Sequence, residues 1–324
     1  MKFGIQPIEG GAFTEEALVE VVRAEQAGFD SVWLSEHHGV RDHYWPSPVM
    51  MLAAFAARTD RVLLGTNIIV LPFYHPLRVV EEAATLQVLS KGRAILGVGM
   101  GYREDEYAAY GVPTRERGRR YEEGLAALRH LMARNGDAFD GQFFHLAPIA
   151  IDPWAAFPVW AGGWGRENLR RAAVYADVWI PGPVADLRRL LECRDQYDGF
   201  LRRAGLDPAD RPRPLTRELI IAPTEAEALE AAGRYLLPIY RDEYGGGWKH
   251  GLVDPSRAHD LEAIGAQRFI VGSPDQVIEG IRFFADRFGC DHMIFRLYGP
   301  RTPHAFIMEE IALLGDEVLP ALGD

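Results

Sequence analysis

Short apolar runs rich in β-branched residues alternate along the whole chain with longer segments in which apolar residues recur every three or four positions. The short runs predict β-strands and the longer segments predict amphipathic helices. Most of the predicted strands are continuously apolar, which is typical of parallel strands covered on both faces. The predicted strands are Lys2–Pro7, Ser31–Glu36, Val62–Val70, Arg93–Gly99, Pro158–Gly162, Asp177–Pro181, Arg217–Ala222 and His292–Leu297.

Helix boundaries are marked by capping signals between these strands. One helical segment begins at Thr14 and stops at Gly28, and another begins at Ser273-Pro274 and stops at Gly289. Hydroxyl N-caps, an N-terminal proline and a closing glycine are the preferred residues at those positions. Eight strand and helix units without a flexible linker predict an α/β fold, a (β/α)8 TIM barrel, as a single domain over residues 1–324.

Two insertions interrupt the repeat. In the first, at about residues 137–153, the segment Phe139–Phe144 predicts a hairpin. The second, at about residues 243–265, contains Gly245-Gly246-Gly247-Trp248. Its glycines and tryptophan fit either a surface loop or a lid over the barrel mouth.

Composition and charge indicate which kinds of partner the protein binds. The 324 residues include 35 Lys and Arg against 46 Asp and Glu, a net charge of −11. This balance disfavours nucleic acid and anionic membrane surfaces as partners and favours a small-molecule substrate. Apolar runs are too short to span a bilayer, and the N-terminus lacks the apolar core of a secretory signal. Cys193 and Cys290 are too isolated for a disulfide framework, so a reducing cytoplasm is expected.

In a barrel of this type the active site forms at the carboxyl ends of the strands. Strand two ends in Ser35-Glu36-His37-His38, and strand three leads into Asn67-Ile68 and then His75. Strand four ends in Gly99-Met100-Gly101-Tyr102, and strand five in Gly162-Gly163-Trp164-Gly165-Arg166. A metal site at Glu36, His37 and His38 is disfavoured, because adjacent strand residues point to opposite faces.

Three segments of the chain together resemble the luciferase-like flavin monooxygenase family. They are Gly28–His38, Gly65–Arg78 and Leu89–Arg93, and the likeness is strong over Phe29–Gly111. From Ala161 onward only the barrel pattern and isolated glycines agree. The resemblance implies an enzyme that binds reduced FMN at the barrel mouth, takes it from a separate flavin reductase and uses O2 to oxidise a small organic substrate.

The resemblance also assigns residues to the flavin site. It implies a cis peptide between Asn67 and Ile68 behind the flavin ring, and it makes His37 the catalytic histidine beside the ring. An imidazole suits proton transfer at neutral pH. Glu36 and His75 are implied neighbours of the cofactor; alternatively, Glu36 joins neighbouring strands and His75 caps a helix. Walls for the substrate cavity are predicted from Trp45, Tyr102, Trp164 and Trp248.

The flavin phosphate is expected at Gly162, Gly163, Trp164 and Arg166, where a glycine-rich turn leads into a helix N-terminus. Val271-Gly272-Ser273-Pro274 is a rival anion site, although capping already explains its serine. Met100 stands where luciferases of the family have an arginine, so the cofactor's identity stays open. The basic run Arg115, Arg117, Arg119 and Arg120 fits either a solvated helix face or a contact with a phosphate or an acidic cofactor tail.

Two other functions remain open. Relatives on the same barrel use the deazaflavin coenzyme F420 for hydride transfer without oxygen chemistry, and others keep the barrel as non-catalytic flavin-binding partners. The helices near Pro48–Arg58 and Leu77–Leu89 carry broad apolar faces that resemble the family's dimerisation surface, which implies a homodimer.

Overall fold

The computed structural model describes residues 1–40, 44–299 and 301–323. Its strands are β1 (Lys2–Gln6), β2 (Ser31–Leu34), β3 (Leu63–Thr66), β4 (Ile69–Val70), β5 (Ala94–Gly99), β6 (Phe139–Asp140), β7 (His145–Leu146), β8 (Val159–Gly162), β9 (Val178–Ile180), β10 (Pro214–Ile221), β11 (Ile270–Gly272) and β12 (His292–Arg296). The α-helices are α1 (Thr14–Gln26), α2 (Pro48–Ala56), α3 (Pro76–Leu89), α4 (Glu104–Ala109), α5 (Arg117–Ala133), α6 (Arg166–Tyr175), α7 (Leu187–Arg203), α8 (Glu225–Ala231), α9 (Leu261–Gly265), α10 (Pro274–Phe284), α11 (His304–Leu313) and α12 (Leu319–Leu322). Wider π-helical turns cover Ala232–Leu236, Ile239–Gly247, Ala285–Gly289 and Leu314–Val318, and 3₁₀ turns cover Gly11–Phe13, Leu71–Phe73, Thr114–Glu116 and Pro208–Asp210.

The main sheet is parallel, with the strand order β11-β10-β12-β1-β2-β3-β5-β8-β9 and with β4 paired to β5. It curls into a barrel, which confirms the predicted TIM-barrel-like α/β fold. No backbone ladder joins β9 to β10 in the described part of the chain. Arg217 of β10 spans this gap, because its buried guanidinium donates to the carbonyls of Pro183 and Ala185 just after β9.

Three strand predictions needed correction. The predicted run Val62–Val70 is two strands, β3 and β4, separated by Asn67 and Ile68. β10 begins at Pro214, three residues before the predicted start, in a position that proline tolerates at the beginning of a strand. β11 was not predicted, because three residues are too few to carry an apolar pattern; it extends the sheet beyond β10.

The helices largely follow their predicted signals. Ser273 caps α10 through a capping box, as predicted, and α1 ends two residues before Gly28. The predicted hairpin is confirmed as β6 and β7, and the Glu123 carboxylate accepts hydrogen bonds from three of its backbone N–H groups. Within the described residues, no helix combines the length and the apolar character that crossing a bilayer requires.

The lower barrel interior is filled by large side chains. Trp33 and Trp160 pack with ring centroids 4.9 Å apart, and His292 lies 5.8 Å from each of them. The Ser31 hydroxyl lies 2.7 Å from His292 Nε2 and accepts a hydrogen bond from Trp33 Nε1. Burial lowers the pKa of His292 to about 3, so this imidazole is neutral at physiological pH. These side chains close the floor of the barrel, so a site inside the barrel is expected at its carboxyl end.

Candidate active site

His37 lies at the carboxyl end of β2, two residues beyond Ser35. Its Nδ1 donates a hydrogen bond to Glu106 Oε1 of α4 over 3.0 Å, and the imidazole is 14% exposed. With Nδ1 bound to a carboxylate, Nε2 is the nitrogen that can exchange a proton with a ligand. The structure therefore gives His37 the orientation that proton transfer needs.

Glu106 is the centre of this network. Its Oε1 also accepts hydrogen bonds from the His38 backbone N–H over 2.9 Å and from Arg103 Nη1 over 3.1 Å. Burial alone would raise the pKa of Glu106, but the hydrogen bonds and positive charges of His37 and Arg103, together with the His38 N–H, outweigh burial and hold this pKa below its ordinary value. Glu106 is thus a buried carboxylate at neutral pH.

Aromatic rings cover the imidazole. The ring centroids of Tyr44 and Trp248 lie 4.6 Å and 4.7 Å from that of His37. The Arg103 guanidinium stacks on Trp248 at 4.6 Å, and Tyr102 packs on His250 at 4.8 Å. Trp248 directly follows the π-helical turn Ile239–Gly247. The second insertion therefore covers the barrel mouth.

One part of this mouth is lined by glycines, and we call it the glycine half. It consists of Gly97, Gly99 and Gly162 together with the neighbouring Asn67 and Ile68. The Asn67–Ile68 peptide is cis, which confirms the prediction. A Cβ on Gly97 would lie 1.8 Å from the Thr66 carbonyl oxygen; on Gly99 or Gly162 it would lie 2.6 Å or 3.2 Å from the Ile68 side chain. Only glycine gives the backbone this close approach.

Buried polar groups fill the opposite part, which we call the charged half: Glu9, Ser35, Glu218, Arg296 and Tyr298. Both oxygens of the Glu9 carboxyl bind Ser35, whose hydroxyl also lies 3.0 Å from the Tyr298 hydroxyl. Arg296 Nε donates to Glu218 over 2.9 Å. Burial raises the pKa of Glu9 to about 8, so it is mostly protonated at pH 7.

Sequence reasoning missed Glu9, Glu106 and Glu218. Glu9 follows β1 closely, so the strand-end rule could have found it. Glu218 follows Arg217 inside a fully buried strand, and two adjacent charged residues in a buried strand are also a recognisable signal. Glu106 meets His37 across 69 residues of chain. No local pattern connects that pair.

Two predicted cofactor neighbours make other contacts. Glu36 is 2% exposed; it accepts hydrogen bonds from the Val70 N–H over 2.6 Å and from the Tyr74 hydroxyl, and it lies 2.5 Å from His38 Nε2. It thus links the end of β2 to β4 and orients His38. The His75 side chain is exposed, makes no cap for α3 and packs against Phe144 of the hairpin at 6.0 Å.

Of the residues predicted to bind the phosphate, the structure places the glycines at the start of α6 but turns the Arg166 side chain towards α7. Gly163 and Gly165 have φ angles of +131° and +83° and lead directly into α6. The Gly163 carbonyl accepts a hydrogen bond from Trp179 Nε1 over 3.0 Å, while the Arg166 guanidinium stacks on Phe200 of α7 at 5.2 Å. The turn thus presents the N-terminus of α6, and the Arg166 charge lies against a ring of the helical layer.

The remaining predicted positions lie around this region. The Met100 carbonyl accepts a hydrogen bond from the Tyr107 hydroxyl, and the Trp164 ring packs edge-on against Trp179. Trp45 is buried behind His37, whose N–H donates to the Trp45 carbonyl. Of the basic run, Arg120 stacks on Phe143 of the hairpin at 4.9 Å. Among the described residues, no cluster of His, Cys, Asp and Glu could hold a metal ion.

Comparison with known proteins gives consistent matches over the whole fold. The family model described as luciferase-like monooxygenase matches residues 6–291. An F420-dependent glucose-6-phosphate dehydrogenase from Beutenbergia cavernae is 31% identical over 95% of this chain and 93% of its own. A limonene 1,2-monooxygenase from Rhodococcus erythropolis is 34% identical over 93% of this chain and 79% of its own.

Solved structures agree with the fold. The monooxygenase RslO1 from Streptomyces bottropensis has a TM-score of 0.87 at 25% identity and covers 99% of this chain and 100% of its own. The oxygenating constituent of 3,6-diketocamphane monooxygenase from Pseudomonas putida, in complex with FMN, has a TM-score of 0.79 at 22% identity over 99% of this chain and 98% of its own.

Proposed function

Because the chain belongs to the luciferase-like monooxygenase family, we propose that it is a flavin-dependent monooxygenase that uses reduced FMN and O2 to oxidise a small organic substrate. Its relatives are oxidoreductases and monooxygenases. The observation that carries the proposal is His37, bound through Nδ1 to the buried Glu106 carboxylate and covered by Trp248. This arrangement provides proton transfer in a site screened from water.

The glycine half fits the ring system of a flavin. A flat aromatic ligand needs a smooth apolar surface, and the glycines allow the Thr66 carbonyl and the Ile68 side chain to pack directly against the strand ends there. Asn67 and Ile68 would lie under the ring. The Gly163–Gly165 turn and the first N–H groups of α6 would hold the phosphate. When bound, reduced FMN supplies two electrons and the place at which O2 is activated.

The protein's own residues transfer the proton, exclude water and balance charge. Nε2 of His37 gives or takes a proton during substrate oxidation, and the Glu106 carboxylate stabilises the positively charged imidazole. Tyr44 and Trp248 limit water access to that nitrogen. Arg103 balances the charge of Glu106 and fixes its position.

Hydride transfer with coenzyme F420 is the second candidate, because a relative of nearly the same length depends on that cofactor. Replacement of the central nitrogen of the flavin ring by carbon suppresses oxygen chemistry. The same histidine and carboxylate would serve proton transfer to or from the substrate in this reaction. A barrel that binds flavin without turnover is the third possible outcome.

Anaerobic titration of the purified protein with reduced FMN and with reduced F420 tests these alternatives. We expect saturable binding of reduced FMN and, after addition of O2, consumption above the rate of free flavin that depends on an added organic substrate. His37→Asn should lower that rate while leaving FMN affinity intact. His145→Asn, on the exposed hairpin, is the matched control. Tight F420 binding without FMN binding would reverse the order of the candidates, and FMN binding without any O2 consumption would favour a non-catalytic role.

We also propose that the chain forms a homodimer through α2 and α3. The groove between these helices has a volume of about 320 Å³, and Met50 and Leu89 beside it are 75% and 56% exposed. Exposed apolar side chains around a groove favour a protein interface. Met50→Asp should yield a monomer in light-scattering measurements, whereas Leu229→Asp, an exposed apolar residue on α8, should leave the assembly unchanged. We further propose that a separate flavin reductase supplies the reduced FMN and that the protein works in a reducing cytoplasm.

A further inference from the structure

Arg296 has an unusual environment in the charged half. It alternates along β12 with His292 and Ile294, which pack against Trp33 and Trp160 or beside them, so its side chain projects into the barrel. Nε donates to Glu218 over 2.9 Å and Nη1 donates to the Tyr244 hydroxyl over 2.7 Å. Nη2 is buried and has no hydrogen-bond partner among the described residues. Since buried donors are nearly always paired, this nitrogen marks a place for an acceptor.

The positive charge of Arg296 is already balanced. Glu218 neutralises Arg296, and in the neighbouring cluster the carboxylates of Glu106 and Asp105 outnumber the single guanidinium of Arg103. Glu9, packed behind Ser35, adds little negative charge at pH 7 because burial raises its pKa to about 8. An anionic ligand would therefore introduce an uncompensated buried charge, which is costly. A neutral acceptor oxygen carries no such cost.

Aromatic rings provide the rest of the wall. Tyr244 and Tyr298 flank the Arg296 guanidinium at 5.7 Å and 5.6 Å, and Trp248 packs 5.8 Å from Tyr244. Tyr244 and Trp248 both belong to the segment that covers the mouth, so movement of this segment would open the way to Nη2. The surface it would uncover is large, apolar and aromatic.

We propose that the charged half is the substrate subsite, that it takes an uncharged organic molecule through one acceptor oxygen bound by Arg296 Nη2, and that it rejects phosphorylated sugars. The assignment as a substrate subsite rests on the proposed function, since FMN would occupy the glycine half. The recognised chemistry is a carbonyl or ether oxygen on an apolar body.

Three probes test the recognition directly: cyclohexanone, its alkene isostere methylenecyclohexane, and glucose 6-phosphate. Binding is followed by titration calorimetry with the FMN-loaded protein and again with the FMN-free protein. We expect cyclohexanone to bind about tenfold more tightly than the alkene, the difference that one good buried hydrogen bond makes. Glucose 6-phosphate should show no binding at the concentrations that saturate with the ketone.

The double variant Glu218→Gln/Arg296→Gln removes the guanidinium without leaving a lone buried carboxylate. We expect it to bind ketone and alkene equally. The matched control is Arg241→Gln/Asp242→Asn, an exposed ion pair on the same covering segment, which should keep the tenfold preference. Arg296→Lys is a second variant that retains the charge and loses the planar donor set, and it should bring the preference close to one.

Equal binding of the two isosteres by the unmodified protein would overturn the inference, as would a preference that survives in the double variant or glucose 6-phosphate binding as tight as that of the ketone. The isostere comparison needs no variant, so poor folding of a variant leaves the test decisive. Loss of the proposed function is a distinct result: the ketone preference would persist in a protein that neither binds reduced FMN nor consumes O2.

Discussion

The glycine half and the charged half of the barrel mouth share one edge of one sheet but are built on opposite principles. In the glycine half, Gly97, Gly99 and Gly162 let the Thr66 carbonyl and the Ile68 side chain lie directly against β5 and β8. In the charged half, Glu218 and Arg296 fill the space with paired groups under a tyrosine wall. The first selects a ligand by shape, and the second by hydrogen bonding and charge.

This difference predicts which changes each half can tolerate. In the glycine half, an added methyl group meets either the Thr66 carbonyl oxygen or the packed Ile68 side chain, so it must displace backbone or repack Ile68. A buried polar network instead depends on every partner, and its sensitivity appears in protonation and in binding preference. Ordered from the largest expected effect to the smallest, four measurements separate the halves.

Gly97→Ala should break the glycine half. The new Cβ would lie 1.8 Å from the Thr66 carbonyl oxygen, so strands β3 and β5 must separate, and the free energy of unfolding should fall by about 3 kcal/mol. Binding of reduced FMN should be lost, which titration and urea denaturation would measure together. Gly199→Ala in α7, where a Cβ has open space, should slightly stabilise the protein. An unchanged FMN affinity in Gly97→Ala would contradict this account of the slot.

Glu9→Gln should change how stability depends on pH. The folded pKa of Glu9 is about 8 against an ordinary 4.5, so the folded state holds a proton that the unfolded state releases. Its contribution to stability is complete below about pH 4.5 and is lost as pH rises to about 8. The unfolding free energy of the native protein should therefore decline by up to about 1.4 kcal/mol per pH unit more steeply than that of the variant in this window. Parallel stability curves from urea denaturation between pH 5 and 8 would argue that Glu9 is not the protonated group.

Glu106→Gln should reduce turnover without disturbing the glycine half. The His37 imidazole loses the carboxylate that orients it, so the rate of substrate-dependent O2 consumption should fall about 10²-fold. FMN affinity should stay unchanged. Glu192→Gln, a surface residue paired with Arg188 on α7, is the control. If Glu106→Gln keeps the native rate of O2 consumption, Glu106 serves only the local structure.

Trp248→Ala should have the smallest effect on stability. It should also weaken the coupling of O2 consumption to product formation. Losing the contact with the Arg103 guanidinium should cost about 0.5–1 kcal/mol. Water reaches His37 more easily, so we expect a larger share of O2 consumption without product formation. Trp154→Ala, which removes a comparable contact with Arg134, should lower stability similarly and leave coupling intact. Equal coupling in both variants would show that Trp248 does not screen the site.

The fold was largely predictable because burial leaves a local signature. The eight barrel strands were recognised from apolar runs, and Gly28 and Ser273 marked helix ends correctly within one or two residues. β11 escaped recognition because a three-residue strand has no periodicity. The division of the third predicted strand into β3 and β4 was not predicted, although the family resemblance placed the cis peptide between Asn67 and Ile68, where the division falls.

The candidate site was predictable only in part. His37 was found because strand ends of a barrel gather at one rim, and the structure places it there. Arg166 was expected to face a phosphate, yet it stacks on Phe200, a contact that depends on how α6 and α7 pack. Glu106 escaped because nothing near it in sequence indicates its partner.

The sequence by itself determined the succession of strands and helices, the residues at each strand end and the glycines that permit close packing in one half of the mouth. Backbone pairing and burial act over neighbouring positions, so these features appear as periodicity and punctuation. Only the tertiary structure decided which charges meet. Glu106 reaches His37, Arg296 reaches Glu218, and Trp248 covers the imidazole because the curl of the sheet and the course of long insertions bring distant segments together. Electrostatic and ring contacts act through space rather than along the chain, and a local pattern does not encode them.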